Sequence, residues 1–447
     1  MRTSSGTKII ATVGPMSRSA AALAGLVRAG VDGFRINCSH TRAEELPGLV
    51  ADIKEAGGGF IIADLAGPKL RCENPISGKA GEVIELGGAD HPLNNEIENV
   101  TTGAAVSLGD GNMVGTVIGY SAGVIQIRLT TEVATRSGSA VHIEGSRLVG
   151  GCLGPADEEM LEAALEAGCD WIALSYVKDG VDAARAAGVI RGRAGVIAKI
   201  ERESAVEDLE AICNVVGAVM VARGDLGVEL DYVQVPRIQR EIFNHCRSIG
   251  MPVVCATEML GSMVSAARPT RAEVSDVEAV MRQGYDAIVL TAETAMGVDP
   301  VAVIEVAKRI QAATEAGIQD VAQSSTADDA VMAEAAVRVG EAAGAECIVA
   351  MTSTGHTARL VAAERARLNV YAVAGEERVA RKIALYYGVK PVIMQRDGGV
   401  EGSSTPVLAR LVELGLVKDG EKCVFIGSRI GPEQDADLVM IRRAPTR

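Results

Sequence analysis

The sequence predicts an α/β protein built on a (β/α)8 TIM barrel, with a small β-barrel lid domain inserted into it and a C-terminal α/β domain following it. Three observations carry that expectation: eight apolar runs of strand length, amphipathic helical stretches between them, and polar residues where the runs stop. The runs are Lys8–Val13, Gly33–Asn37, Phe60–Asp64, Asp170–Val177, Gly195–Ile200, Ala218–Arg223, Pro252–Thr257 and Ala287–Thr291. Unbroken Val/Ile/Ala runs mark strands buried on both faces, as in parallel sheets. The stretches between them, such as AAALAGLVRAG, EEMLEAALEAG and PRIQREIFNHCRSIG, repeat apolar residues every three or four positions and often close on Gly. That is the helical period and its stop signal. Eight strand–helix units is the barrel count.

Two segments interrupt the alternation. After Arg71 come EVIELG, AAVSL, VGTVIGY, GVIQIRL and AVHIEG, β-branched pieces separated by Gly, Asp and Asn turns. They read as an all-β domain (71–150) in the third βα loop, above the barrel mouth, where a lid would exclude water from a reactive intermediate. The barrel then comprises 1–70 and 151–325. Past a polar stretch (TEAGIQDVAQSSTADDA), the strand-like ECIVAMTS, NVYAVAG, KPVIMQ, KCVFIGS and DLVMIRR form a separate α/β domain (326–447). Its strand-to-helix turn carries Thr352, Ser353, Thr354 and Thr357, whose hydroxyls and neighbouring amides offer a phosphate cradle, although such hydroxyls also cap helices for purely structural reasons.

Composition narrows the function classes. The 447 residues are 48% hydrophobic and 23% charged, an ordinary globular balance. A net charge of −14 argues against a nucleic-acid partner, because phosphate backbones need basic patches. It leaves room for a phosphorylated small molecule, since a few local cations dominate a cleft. No apolar run reaches membrane-spanning length, the N-terminal stretch lacks a signal-peptide core, and the nine cysteines contain no CxxC. The expectation is a reduced, cytoplasmic protein with no membrane partner, no zinc site and no disulfide frame.

The most informative stretch is GVIAKIERE followed by GAVMVARGDLGVE. Each apolar run stops on charge, and polar groups at C-terminal strand ends are where α/β folds place catalysis. Glu201 and Asp225, at the ends of neighbouring strands, can share one divalent cation. Lys199 lies two residues before Glu201 and on the same strand face. Metal, lysine and glycine-exposed amides suit an anionic, oxygen-rich substrate such as a phosphorylated carboxylate. Around this core a ring of strand-end residues adds Arg35, Asn37, Ser39, His40, Asp64, Lys69, Arg71, Ser175, Arg223, Thr257 and Glu293.

These motifs resemble the pyruvate kinase family from Lys8 through the C-terminal domain. TKIIATVGP, FRINCSH, DLAGPKLR, WIALSYV, AKIE, MVARGDLGVE, PVVCATEML, RPTRAEVSDV and LTAETAMG carry the likeness, and MVARGDLGVE with RPTRAE is very specific. The resemblance implies transfer of the phosphoryl group of phosphoenolpyruvate to ADP, with Mg2+ (or Mn2+) on Glu201 and Asp225. It implies that Lys199, Arg35 and Thr257 are catalytic, that Gly224 and Asp225 join them in binding substrate, and that Asn37, His40 and Arg71 face the nucleotide. A homotetramer and a phosphorylated effector follow from the family as well.

Departures matter too. The family often has Thr-Lys-Gly-Pro-Glu where this chain has Leu65-Ala66-Gly67-Pro68-Lys69. Members with the Glu bind K+ against groups equivalent to Asn37, Ser39 and Asp64. Here the Lys69 ammonium is expected to act where that ion's charge would, making K+ unnecessary. The lid exit (GSRLVGGCLGP) and the effector-domain segment SRIGPEQDADL also differ from the family pattern. Two other readings stay open at this level: a metal-dependent barrel aldolase or lyase acting on a pyruvate enolate, and a catalytically weak sensor.

Overall fold

The computed structural model describes residues 6–109, 112–314, 327–396, 398–431 and 436–445. Eight parallel strands close into a barrel: β1 (Lys8–Val13), β2 (Gly33–Asn37), β3 (Phe60–Asp64), β4 (Trp171–Leu174), β5 (Gly195–Ile200), β6 (Ala218–Ala222), β7 (Val253–Ala256) and β8 (Ala287–Leu290). Closure comes from β1 pairing with β8, Lys8 opposite Ala287, and with β2 on its other side. The limits of β1, β2, β3 and β5 coincide with the apolar runs, and β4, β6, β7 and β8 end a residue or more earlier than expected. At β6 the reason is visible: Ala222 ends the strand and a helix, Arg223–Glu229, begins at once, so Asp225 sits in its first turn.

The period of two decides what reaches the barrel mouth. Ile9, Ala11, Phe34, Ile36, Ile61, Ala63, Ala198 and Val219 pack outward against the helices. Ile10, Phe60, Ile62, Trp171, Ala173, Ile197, Ala218 and Met220 fill the interior. Continuing that inner face toward the C-terminal strand ends gives Thr12, Arg35, Asp64, Ser175, Lys199 and Glu201. The opposite end is plugged by aromatics. A side chain at Gly33 would collide with the Phe60 ring, and one at Gly195 would lie 2.3 Å from Trp171, so both positions require glycine.

Between β3 and the helix Pro155–Ala167 lies the inserted β region. Its main sheet has six strands, with Ala105–Leu108, Asn112–Ser121 and Val124–Leu129 as antiparallel neighbours, and two two-stranded ribbons accompany it. One core, including Leu86, Val106, Ile125, Ile127 and Ile143, holds it together. At the C-terminus, Val389–Ile393, Asn369–Ala374, Cys347–Met351 and Lys422–Gly427 run parallel, and Leu438–Arg443 adds an antiparallel edge. This unit docks on the barrel floor, where buried Arg365 meets buried Asp286 at 2.6 Å and donates to the Gly284 carbonyl. Residues 315–326, most of the polar stretch with the boundary expected around 325, and 432–435 within SRIGPEQDADL, lie outside the described residues. Among the described residues no helix is long and apolar enough to cross a membrane.

Candidate active site

Asp64 is the hub of the barrel mouth. Its Oδ2 takes the Arg35 Nε at 2.6 Å, and its Oδ1 lies 3.2 Å from the Lys199 ammonium. Burial opposes the Asp64 charge, yet Lys199 and Arg35 outweigh it and hold the carboxyl below its usual range. Lys199 is buried likewise; Asp64 and Glu201 overcome the burial and keep it firmly protonated. Its Nζ also donates to the Ser175 hydroxyl at 2.8 Å, and Ser175 in turn donates to the Leu65 carbonyl at 2.6 Å. Arg35 Nη1 donates to Thr12 Oγ1 at 3.1 Å. Two cations are thus held at fixed positions by one carboxylate beneath them. Such preorganised charge stabilises anionic transition states.

Glu201 is completely buried. Its Oε2 accepts the Tyr176 backbone N–H at 2.7 Å. Its Oε1 lies 2.9 Å from Lys199 Nζ but without hydrogen-bond alignment, so that buried oxygen is left without a donor. Asp225 accepts from Lys69 Nζ and from the Tyr176 hydroxyl, both at 3.1 Å and both on Oδ1. Burial would raise the Asp225 carboxyl, but Lys69 and Lys199 pull it below its ordinary value. An orphaned carboxylate oxygen beside a second carboxylate is the donor set a hard divalent cation takes when substrate and water complete its shell. Among the described residues no group of three or more His, Cys, Asp or Glu could hold a metal alone. The residues present therefore fit a two-carboxylate Mg2+ site that relies on other oxygens.

Thr257 and Gly224 meet across β6 and β7: the Gly224 N–H donates to Thr257 Oγ1 at 2.8 Å. With that lone pair occupied, the threonine hydroxyl proton is free to point at a ligand. Thr257, Glu258 and Leu260 all have φ between 56° and 68°. Three left-handed non-glycine residues so close together is strain of the kind stored at functional sites, about 1–3 kcal/mol each. Arg223 holds the strained turn in place, donating to the carbonyls of Thr257 (2.9 Å) and Glu258 (2.7 Å) while pairing with both oxygens of Asp276. Glu273 tightens the RPTRAE motif from the other side, accepting from Ser262 and Thr270, and these bonds lower its carboxyl to about 2 although partial burial opposes them.

Not every expected residue converges. Asn37 Oδ1 caps the Ser39 N–H, and Ser39 and His40 are exposed in a short 3-10 turn. Arg71 Nη1 donates to the Gly138 carbonyl of the inserted region. Lys69 reaches Asp225, whereas Asp64, expected with it, is held by Arg35 and Lys199. Glu293 accepts from the Thr291 N–H at 2.6 Å, a local cap. In the C-terminal turn, Thr352 Oγ1 accepts the Gly355 N–H at 2.8 Å and Thr354 Oγ1 the His356 N–H at 3.4 Å. Thr12, Tyr176, Arg202 and Asp276 were not singled out from sequence. Tyr176 falls on the outward parity of β4 and reaches the site only because its φ is +57°, which alternation does not reveal.

A cleft of about 310 Å³ separates the barrel mouth from the inserted region, lined by Lys69, His142, Tyr176, Arg202, Gly224 and Asp225 among others. Arg202 stacks on the Tyr176 ring at 5.2 Å and Lys69 approaches the same ring at 5.8 Å.

Comparison with known proteins agrees with this geometry. Residues 4–304 match the family model described as pyruvate kinase, barrel domain, and residues 330–442 match pyruvate kinase, alpha/beta domain. A pyruvate kinase of Agrobacterium vitis is 36% identical over 95% of this chain and 94% of its own length. That of Methylorubrum extorquens is 34% identical over 95% and 94%. A crystal structure of a pyruvate kinase from Cryptosporidium parvum superposes with a TM-score of 0.90 at 27% identity, covering 99% of this chain and 96% of that one.

Proposed function

This chain belongs to the pyruvate kinase family, and we infer that its barrel mouth transfers the phosphoryl group of phosphoenolpyruvate to ADP without needing K+. As a pyruvate kinase it is a phosphotransferase. The observation that carries the site assignment is the buried chain Arg35–Asp64–Lys199–Glu201, which presents two fixed cations beside an orphaned carboxylate oxygen. In this reading Glu201 and Asp225 hold Mg2+ or Mn2+. When bound, the ion supplies positive charge to phosphoryl and enolate oxygens.

Arg35 and Lys199 bind the phosphoryl group and stabilise its charge as it moves. Asp64 fixes both cations from below, and the lid-side cleft shields the enolate from water. Gly224 presents its backbone to the substrate carboxylate, and Thr257 donates its free hydroxyl proton to the opposite side. Asn37, His40 and Arg71 form the nucleotide side. The Lys69 ammonium, 3.1 Å from Asp225, provides the monovalent charge that K+ supplies elsewhere in the family. The reading includes a cytoplasmic homotetramer whose Thr352–Thr357 turn takes a phosphorylated effector, supported by the hydroxyls at that strand end.

A coupled pyruvate-formation assay with phosphoenolpyruvate, ADP and Mg2+, run with and without K+, tests this. Equal turnover in both is expected. Turnover only with K+ removes the Lys69 role, and no turnover in either removes the catalytic assignment.

A further inference from the structure

We propose that Tyr176 is the positioning residue of the divalent-metal site, donating one hydrogen bond to each of the two carboxylates and so choosing which oxygen of each faces the ion. The proposal rests on the reading of Glu201 and Asp225 as the metal ligands. The geometry is specific. The backbone N–H of Tyr176 takes Oε2 of Glu201, and its hydroxyl takes Oδ1 of Asp225. Lys69 converges on that same Oδ1. The oxygens left over are Oε1 of Glu201, which accepts no hydrogen bond although the Lys199 ammonium lies 2.9 Å away, and Oδ2 of Asp225, since both Asp225 bonds among the described residues fall on Oδ1. One residue thereby sets both carboxylates for one-oxygen ligation.

The conformation of Tyr176 supports a role beyond packing. A tyrosine at φ +57° is rare and costly, and in this conformation its N–H and side chain reach two ligands from different elements. Its ring is flanked by the Arg202 guanidinium and the Lys69 ammonium. Arg202 is itself buried, with its Nε unpartnered. The two cations keep the ring, and with it the hydroxyl, from swinging into the cleft.

The test is Mn2+ binding to the full-length protein without nucleotide or substrate, read from the free-Mn2+ electron paramagnetic resonance signal, for wild type, Tyr176→Phe and Asp225→Asn. Losing a hydrogen bond to a charged group is expected to weaken Mn2+ binding about tenfold in Tyr176→Phe. In turnover the same variant should need more Mg2+ for half-maximal velocity, with kcat recovering at saturating Mg2+. General structural damage would not be rescued by metal, and an unchanged melting temperature checks that the variant folds. Mn2+ affinity equal to wild type in Tyr176→Phe, while Asp225→Asn is weakened, overturns the proposal alone. Wild-type affinity in Asp225→Asn overturns the metal-ligand reading and the Tyr176 role with it.

Discussion

The barrel mouth and the C-terminal Thr352–Thr357 turn are built on the same plan, polar residues after buried parallel strands, yet they differ in what satisfies those residues. At the mouth, charged groups satisfy one another between elements far apart in the chain: Arg35 and Lys199 on Asp64, Lys69 on Asp225, Arg223 on Asp276. Tyr176, Thr257, Glu258 and Leu260 are held in left-handed backbone to achieve this. In the C-terminal turn, hydroxyls cap amides of their own loop: Thr352 caps Gly355 and Thr354 caps His356. The left-handed residue there is Gly355, the residue type that adopts it freely. The mouth is tied together by long-range ionic pairs and strain; the turn is locally capped and relaxed.

If that difference is real, substitutions should separate the two regions by size of effect. Lys199→Met removes the charge shared by Asp64 and Glu201. It should lower kcat by roughly 10³-fold and destabilise by about 3 kcal/mol, because two buried carboxylates lose their partner. Steady-state kinetics and denaturant melts measure both.

Arg223→Lys touches no substrate, but one ammonium cannot replace a fork that holds two carbonyls and both Asp276 oxygens. The strained turn should relax and kcat/KM for phosphoenolpyruvate should fall about tenfold to a hundredfold.

Glu229 gives a pH-dependent check. Burial, reinforced by Glu203, Glu201 and Asp225 and opposed by Arg202, pushes its carboxyl from 4.5 to about 7. Between those values the folded protein keeps a proton that the unfolded chain releases, so this group makes stability decline as pH rises from 4.5 through about 7. Glu229→Gln should flatten that part of the melting-temperature profile.

The smallest effect belongs to the C-terminal turn. Thr352→Ala should cost about 1 kcal/mol for the lost cap of Gly355 and leave effector-free kcat within about twofold. A loss comparable to Arg223→Lys would erase the distinction between the regions.

Most of the architecture was legible because a barrel strand buried on both faces must be an unbroken apolar run, and charge at its end has only the mouth to occupy. The inner-face parity of Lys199, Glu201, Arg35 and Asp64 follows from the period of two. Residues acting through a turn were hidden. Tyr176 lies on the outward parity until its backbone reverses, and the Arg223 fork finds carbonyls of Thr257 and Glu258 more than thirty positions away. Lys69 was singled out for its charge, but which carboxylate it meets depends on the fold of the third loop.

A K+ titration of the wild type beside Lys69→Glu, at saturating Mg2+, phosphoenolpyruvate and ADP, settles whether the lysine is the built-in cation. The expected result is a flat wild-type response and a variant that is slow without K+ and accelerated by it. Strong K+ activation of the wild type, or a variant as fast and as indifferent to K+ as the wild type, contradicts that role for Lys69.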